Sequence, residues 1–177
     1  MSIAGSFSAR VLEENLAILH GKKKIGFGLF VLITAALASY ISVQAASRSS
    51  RAEREVEYRR SLYTVLSVNF GPLGAMAEGD MPFNAAEAQK RAERLAFLAP
   101  MFKEAFPPDS NGVARTAART EVWTDSAKFD KELQTFIDKT TLLAAVAKTA
   151  DIVKVKDAIE ETGETCRSCH FRFRNSD

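Results

Sequence analysis

The chain has 177 residues, 46% of them apolar, and its 24 basic and 22 acidic residues leave a formal charge of +2. Arg10, Lys22, Lys23 and Lys24 against Glu13 and Glu14 place that excess before residue 47, so the remainder is neutral and argues against nucleic-acid binding. Beyond an apolar N-terminal stretch, the length allows one domain of about 125 residues with a single core.

Residues 1–24 form a polar segment ending in Gly21-Lys22-Lys23-Lys24. Val11, Leu12, Leu16, Ile18 and Leu19 suit either a short amphipathic helix on a membrane surface or an ordinary frayed tail. The uncharged run 25–46 has 22 residues, near the roughly 20 of a spanning helix and longer than the about 7–15 of a signal-peptide core. Its length favours a retained anchor, whereas Val43-Gln44-Ala45 suits a signal peptidase. Under either reading Lys22–Lys24 stay on the cytoplasmic side and residues 47–177 are exported.

Leu62, Val65, Leu66, Asn69, Phe70, Leu73 and Met76 recur at three- and four-residue spacing and predict a helix from Ser47 to about Met76. Gly71-Pro72 predicts a kink or a change of helix near Phe70, because proline removes a helix hydrogen bond. A loop spans 77–83. Asn84, three residues before Glu87, then has the form of a capping box. The second helix is expected from Ala85 to about Phe102, bent or closed early by Pro100, with Ala88, Ala92, Leu95 and Leu98 inward.

Residues 105–123 are expected to be irregular, with the lone Trp123 sealing this loop against the bundle. Thr124 or Asp125 caps a third helix to about Thr149, whose inner stripe is Phe129, Leu133, Phe136, Thr140, Leu143 and Ala147. Asp151 caps a fourth, with Ile152, Val155, Ile159, Cys166, His170 and Phe173 on one line. The fold class is therefore all-α: an antiparallel four-helix bundle preceded by one hydrophobic N-terminal helix.

Cys166-Arg167-Ser168-Cys169-His170 is a C-x-x-C-H motif, the signature of covalent haem attachment, in which two thiols add to the haem vinyl groups and the imidazole binds iron. On a helix, positions i, i+3 and i+4 project from one face, which a tethered planar group requires. Two other readings compete. A thioredoxin-type pair belongs after a strand, and no strand pattern is present. A structural zinc site needs four ligands, but the chain has no other cysteine and only His20 besides. With haem using both thiols, no structural disulfide is expected. Gly163, one turn before Cys166, costs about 1 kcal/mol in a helix interior, and close approach of a flat macrocycle is a reason for it.

From about Val56 to Arg174 the chain resembles the cytochrome c′ family, the class II cytochromes c. The resemblance is carried by Tyr58-Arg59, Asn69-Phe70-Gly71-Pro72-Leu73, Ala92-Glu93-Arg94-Leu95, Phe106-Pro107, Val122-Trp123-Thr124-Asp125 and the C-terminal position of the haem motif. It implies one haem c held by Cys166 and Cys169, with His170 as the axial iron ligand. It also implies Arg59 near a propionate, Arg174 beside the proximal face, and Tyr63 packed over a sixth iron position that carries no ligand. The nearest methionine in that direction, Met76, is 13 residues beyond Tyr63, about 20 Å along a helix and too far to bind there. Met81 and Met101 fall in or near loops. Phe171-Arg172 departs from the family, which commonly has an acidic and a small or polar residue there, and the anchor is a second departure.

The resemblance implies electron transfer and binding of diatomic gases such as NO or CO at high-spin, five-coordinate iron, on the periplasmic side of a bacterial inner membrane. Redox proteins are the implied partners, with a homodimer possible. The alternatives are a low-spin carrier subunit of a respiratory or photosynthetic membrane complex and a scaffold in which haem holds the bundle together. Catalysis is not expected, since no distal histidine or acid is available for proton transfer.

Overall fold

A computed structural model of the protein describes residues 5–113 and 116–175, with side chains described at residue 37 and from residue 39 onward. The chain divides into two units, Met1–Arg48 and Ser49–Asp177. The segment 1–24 and most of the run 25–46 lie outside the described side chains. Among the described residues no helix is long and apolar enough to cross a membrane. Within the run, Leu37, Tyr40, Ile41 and Val43 are all exposed.

The helices are α1 (Gly5–Glu78), α2 (Ala85–Leu98), α3 (Glu121–Thr124), α4 (Ser126–Ala147) and α5 (Ile152–Phe173), with short 3-10 turns at Ala99–Lys103 and Pro108–Ser110. The only pairing of β type among the described residues is an isolated antiparallel bridge between Ala118 and Arg174. The later part of α1 together with α2, α4 and α5 builds the bundle. One core cluster draws Leu73 and Met76 from α1, Ala92 and Leu95 from α2, Leu143 from α4 and Val155 and Ile159 from α5. A second, at the other end, joins Leu62, Phe102, Val122, Phe129, Leu133 and Phe173. The first is close-packed aliphatic; the second is aromatic and surrounds the open part of the structure.

Caps and turns explain most boundaries. Asn84 Oδ1 accepts from the Glu87 amide at 3.0 Å, and Asp151 Oδ1 accepts from the Lys154 amide at 3.2 Å, so both helices start where a side chain replaces a missing carbonyl. Glu87 does not complete a capping box; its carboxylate turns to Lys90 and Arg91. Asp125 stands at the N-cap of α4 without a side-chain capping bond. Pro100 does not bend α2. Instead α2 ends at Leu98, and Pro100 lies in the first turn of the 3-10 segment, where its missing N–H is harmless. Two residues placed on inner stripes are exposed: Val65 at 47% and Ile152 at 50%. Val65 lies at the edge of its stripe and Ile152 in the first turn of α5, where the bundle does not cover them.

The expected kink or change of helix at Gly71-Pro72 does not take the form of a change of helix: α1 continues through Pro72 to Glu78. The Val68 carbonyl, deprived of its i+4 donor, accepts instead from Arg91 Nη1 of α2 at 2.8 Å. Trp123 does seal its loop: Nε1 donates to the carbonyls of Phe106 and Pro107, both at 3.1 Å, and its ring meets Phe106 edge-on.

Gly163 is buried on α5, and a methyl group added there would meet Phe70 Cζ at 3.4 Å, an ordinary contact. Gly163→Ala is therefore expected to raise stability by about 0.5–1 kcal/mol through its helix propensity. Denaturant titration of the haem-loaded protein checks this; loss of stability together with loss of haem would instead put the macrocycle against Gly163.

Candidate haem site

The last turns of α5 bring the motif side chains together. Cys169 and His170 line a cavity of about 470 Å³ against α1, the 116–118 loop and α4. That volume lies in the roughly 300–1,000 Å³ range of small-molecule sites. A smaller cavity of about 60 Å³ adjoins it, lined by Cys166, Cys169 and His170 with Phe102, Leu133 and Phe136. Tyr63, Leu66, Phe106, Phe129, Cys169 and His170 border both, forming the common wall. Gly163 lines neither cavity; the side chain over it is Phe70.

The motif lies in the last turns of α5, not at the start of a helix that follows a strand, where a dithiol oxidoreductase carries its pair. Both thiols are free, and burial pushes both upward, Cys169 to about 11 with help from Glu132 and the Cys166 thiol. A redox-active pair needs the opposite shift. Nor is a metal cage present: among the described residues no three or more His, Cys, Asp or Glu side chains are grouped to hold an ion. Burial, then the Arg174 charge, lowers the His170 pKa, so at neutral pH the imidazole is neutral and has a nitrogen lone pair to offer a metal.

Tyr63 stands across from His170, their ring centroids 6.1 Å apart, and packs on Phe102 at 4.7 Å. Tyr63 is 36% exposed and lines both cavities, and burial of the phenol raises its pKa well above its ordinary value, so the hydroxyl stays protonated.

Arg59, one turn before Tyr63, is only 3% exposed, which rules out the solvated surface charge that an arginine in this position invites by default. Its Nη1 donates to the Ala105 carbonyl at 2.9 Å and to Ser110 Oγ at 3.2 Å, and its Nη2 to Thr116 Oγ1 at 2.9 Å. The guanidinium carbon lies 4.7 Å from the Phe106 centroid and 6.0 Å from that of Trp123. Among the described residues no carboxylate forms an ion pair with it, although it borders the larger cavity. Burial lowers its pKa, yet arginine remains charged at neutral pH. Glu55, one turn back on α1, acts on it only at a distance, so this buried cation suits an anionic ligand group in the cavity. Arg60 and Arg174 border the same cavity, whereas the smaller one has no basic side chain other than His170. Arg174 is held at the end of α5, its amide donating to the His170 carbonyl at 3.1 Å.

Two thiols and an imidazole on one helix, an aromatic cavity in front of them and cations along one side of it fit a haem. The fold and site define a c-type cytochrome of the helical-bundle class.

The comparisons specify it further. A family model described as Cytochrome C′ matches residues 54–174. Cytochrome c′ of Rubrivivax gelatinosus is 34% identical over 119 residues, covering 67% of this chain and 92% of that protein. The structure of cytochrome c prime from Shewanella frigidimarina is similar with a TM-score of 0.68 at 34% identity, covering 71% of this chain and 97% of that one. A nitric oxide complex of a variant of cytochrome c prime from Alcaligenes xylosoxidans gives 0.65 at 32% identity, covering 71% and 97%. The chain belongs to the cytochrome c′ family and binds one covalent haem c.

Because Arg59 is a buried cation bordering the larger cavity, Arg59→Gln is expected to lower the reduction potential of the haem: a nearby cation favours the state with one more electron. The expected drop is some tens of millivolts, about 59 mV being a tenfold shift of a one-electron equilibrium. Spectroelectrochemical titration of the loaded protein measures it, and an unchanged potential would remove Arg59 from the cofactor's electrostatics.

Proposed function

We propose that the protein is a membrane-tethered cytochrome c′ whose iron keeps an open sixth position, acting in electron transfer and in binding diatomic gases such as NO and CO. When bound, haem supplies a one-electron ferric/ferrous couple and, in its ferrous form, a site for such gases. Cys166 and Cys169 hold it covalently, His170 is the axial ligand, Arg59 faces a propionate, Arg174 flanks the proximal histidine and Tyr63 covers the opposite face.

The observation that carries the open position is the composition of the cavity walls. Apart from the motif itself, no histidine, methionine or lysine lines either cavity among the described residues. The side chain opposite His170 is a tyrosine packed on Phe102. Apolar and aromatic neighbours exclude water and restrict the space to small ligands. The smaller cavity does hold one acid, Glu132, which the sequence did not place there, and Tyr63 adds a hydroxyl; no histidine other than His170 joins them among the described residues, and we read the site as one for binding rather than catalysis. The relative crystallised as a nitric oxide complex supports the choice of gas.

The reduced protein should show a high-spin spectrum that shifts on adding CO. A low-spin spectrum indifferent to CO would overturn the open position and favour a low-spin carrier subunit of a membrane complex.

Tethering is supported by the uncharged run 25–46 and by the exposure of Leu37, Tyr40, Ile41 and Val43 within it. The haem protein is expected in the membrane fraction after a high-salt wash, facing the periplasm, with residues 25–46 present in its intact mass. A mature chain beginning at Ala46 would overturn this.

A further inference from the structure

Pro72 sits inside α1, where a proline both withholds a hydrogen bond from the carbonyl four residues back and crowds it. That carbonyl belongs to Val68, and its donor comes from another helix, Arg91 Nη1 at 2.8 Å. The same guanidinium is oriented from its own helix, with Nη2 2.8 Å from Glu87 Oε1. Its Nε is buried with no hydrogen-bond partner, so of its three nitrogens only Nη1 and Nη2 are engaged, each on one side of the pair of helices. One turn along α2, Arg94 Nη1 reaches Asn69 Oδ1 at 3.5 Å, and Asn69 Nδ2 donates to the Val65 carbonyl at 2.8 Å. Two arginines thus grip one turn of α1.

What this turn carries gives the grip its significance. Leu66 and Tyr63, on the N-terminal side of Val68, line both cavities, and Phe70, on the C-terminal side, packs over Gly163 of the haem-bearing helix. A kink between residues 68 and 72 would swing one set relative to the other.

We propose that Arg91 is a positioning residue for the haem pocket. It stands in for the amide that Pro72 lacks, keeps α1 helical through residues 68–72, and so holds Leu66 and Tyr63 on the cavity while Phe70 stays on α5. Arg91 borders neither cavity and acts only through α1. The proposal rests on the haem site and, where CO is used as a probe, on the open iron position.

The test is a double-mutant cycle in the haem-loaded full chain: wild type, Arg91→Ala, Pro72→Ala and the double variant. Reduction potential and CO association rate are measured for each. In the Pro72 background, Arg91→Ala is expected to shift the potential and to speed CO association on the order of two- to thirty-fold, the range of coupling through packed elements. In the Pro72→Ala background residue 72 supplies its own amide, and Arg91→Ala should leave both quantities unchanged. Loss of haem loading in Arg91→Ala that is restored in the double variant also supports the proposal. Equal effects in the two backgrounds, failure of both to load haem, or lowered thermal stability with both quantities unmoved would each overturn it. If the wild type does not bind CO, the open iron position fails, while the potential still decides the role of Arg91.

Discussion

Cys166, Cys169 and His170 lie on one helix, where positions i, i+3 and i+4 share a face, as a rigid planar group held by all three would require. Much of the bundle can be understood as meeting that requirement. The helix α5 starts on the Asp151 cap and runs unbroken for 22 residues to Phe173. Its apolar face is secured by Val155 and Ile159 well before the motif, so the last turns project against α1 and α4 already aligned. At its end, the Ala118–Arg174 bridge and the bond from the Arg119 amide to the Phe173 carbonyl at 2.9 Å fix the terminus to the loop. A frayed C-terminus would leave His170 on a mobile segment.

The division of the core follows from the same requirement. Aliphatic side chains with well-defined rotamers fill the end that holds no cofactor, and Leu73, Leu95 and Leu143 there are completely buried. Around the site the residues are aromatic and meet edge to face, as Phe129 does with Phe106 at 4.8 Å and with Phe173 at 5.2 Å. Such rings form stiff walls with few rotamers and a large apolar area. They define a space without needing side chains to fill it.

Periodicity was enough to find α2, α4 and α5, because burial of one stripe repeats every three to four residues and Asn84 and Asp151 mark two starts; it missed the short α3, which begins inside the stretch expected to be irregular, and the start of α1 at Gly5 rather than Ser47. The haem motif was legible because its chemistry is local in sequence. Three features were not legible, and each depends on a partner distant along the chain. Pro72 predicts a break on local grounds, and only the arrival of Arg91, 19 residues further on, cancels it. Gly163 reads as space for a cofactor until Phe70 is seen above it. Arg59 announces a charge, but its burial depends on carbonyl and hydroxyl groups at 105, 110 and 116, in a stretch without periodicity. The sequence contains the Arg91-x-x-Arg94 pair that answers the proline, yet spacing alone does not tell such a pair from a solvated helix face.

The enclosure of Arg59 bears on how the protein matures. Phe106, Trp123, two hydroxyls and a carbonyl surround the guanidinium, and none carries the opposite charge. The folded polypeptide alone therefore holds a desolvated cation that the unfolded chain would leave in water. Whatever brings a carboxylate into the cavity stabilises the folded state and not the unfolded one, so folding and cofactor attachment are thermodynamically linked. The chain that has not acquired haem is the less stable species and the one open to proteolysis. A single buried charge thus ties the stability of the fold to the group that fills the cavity.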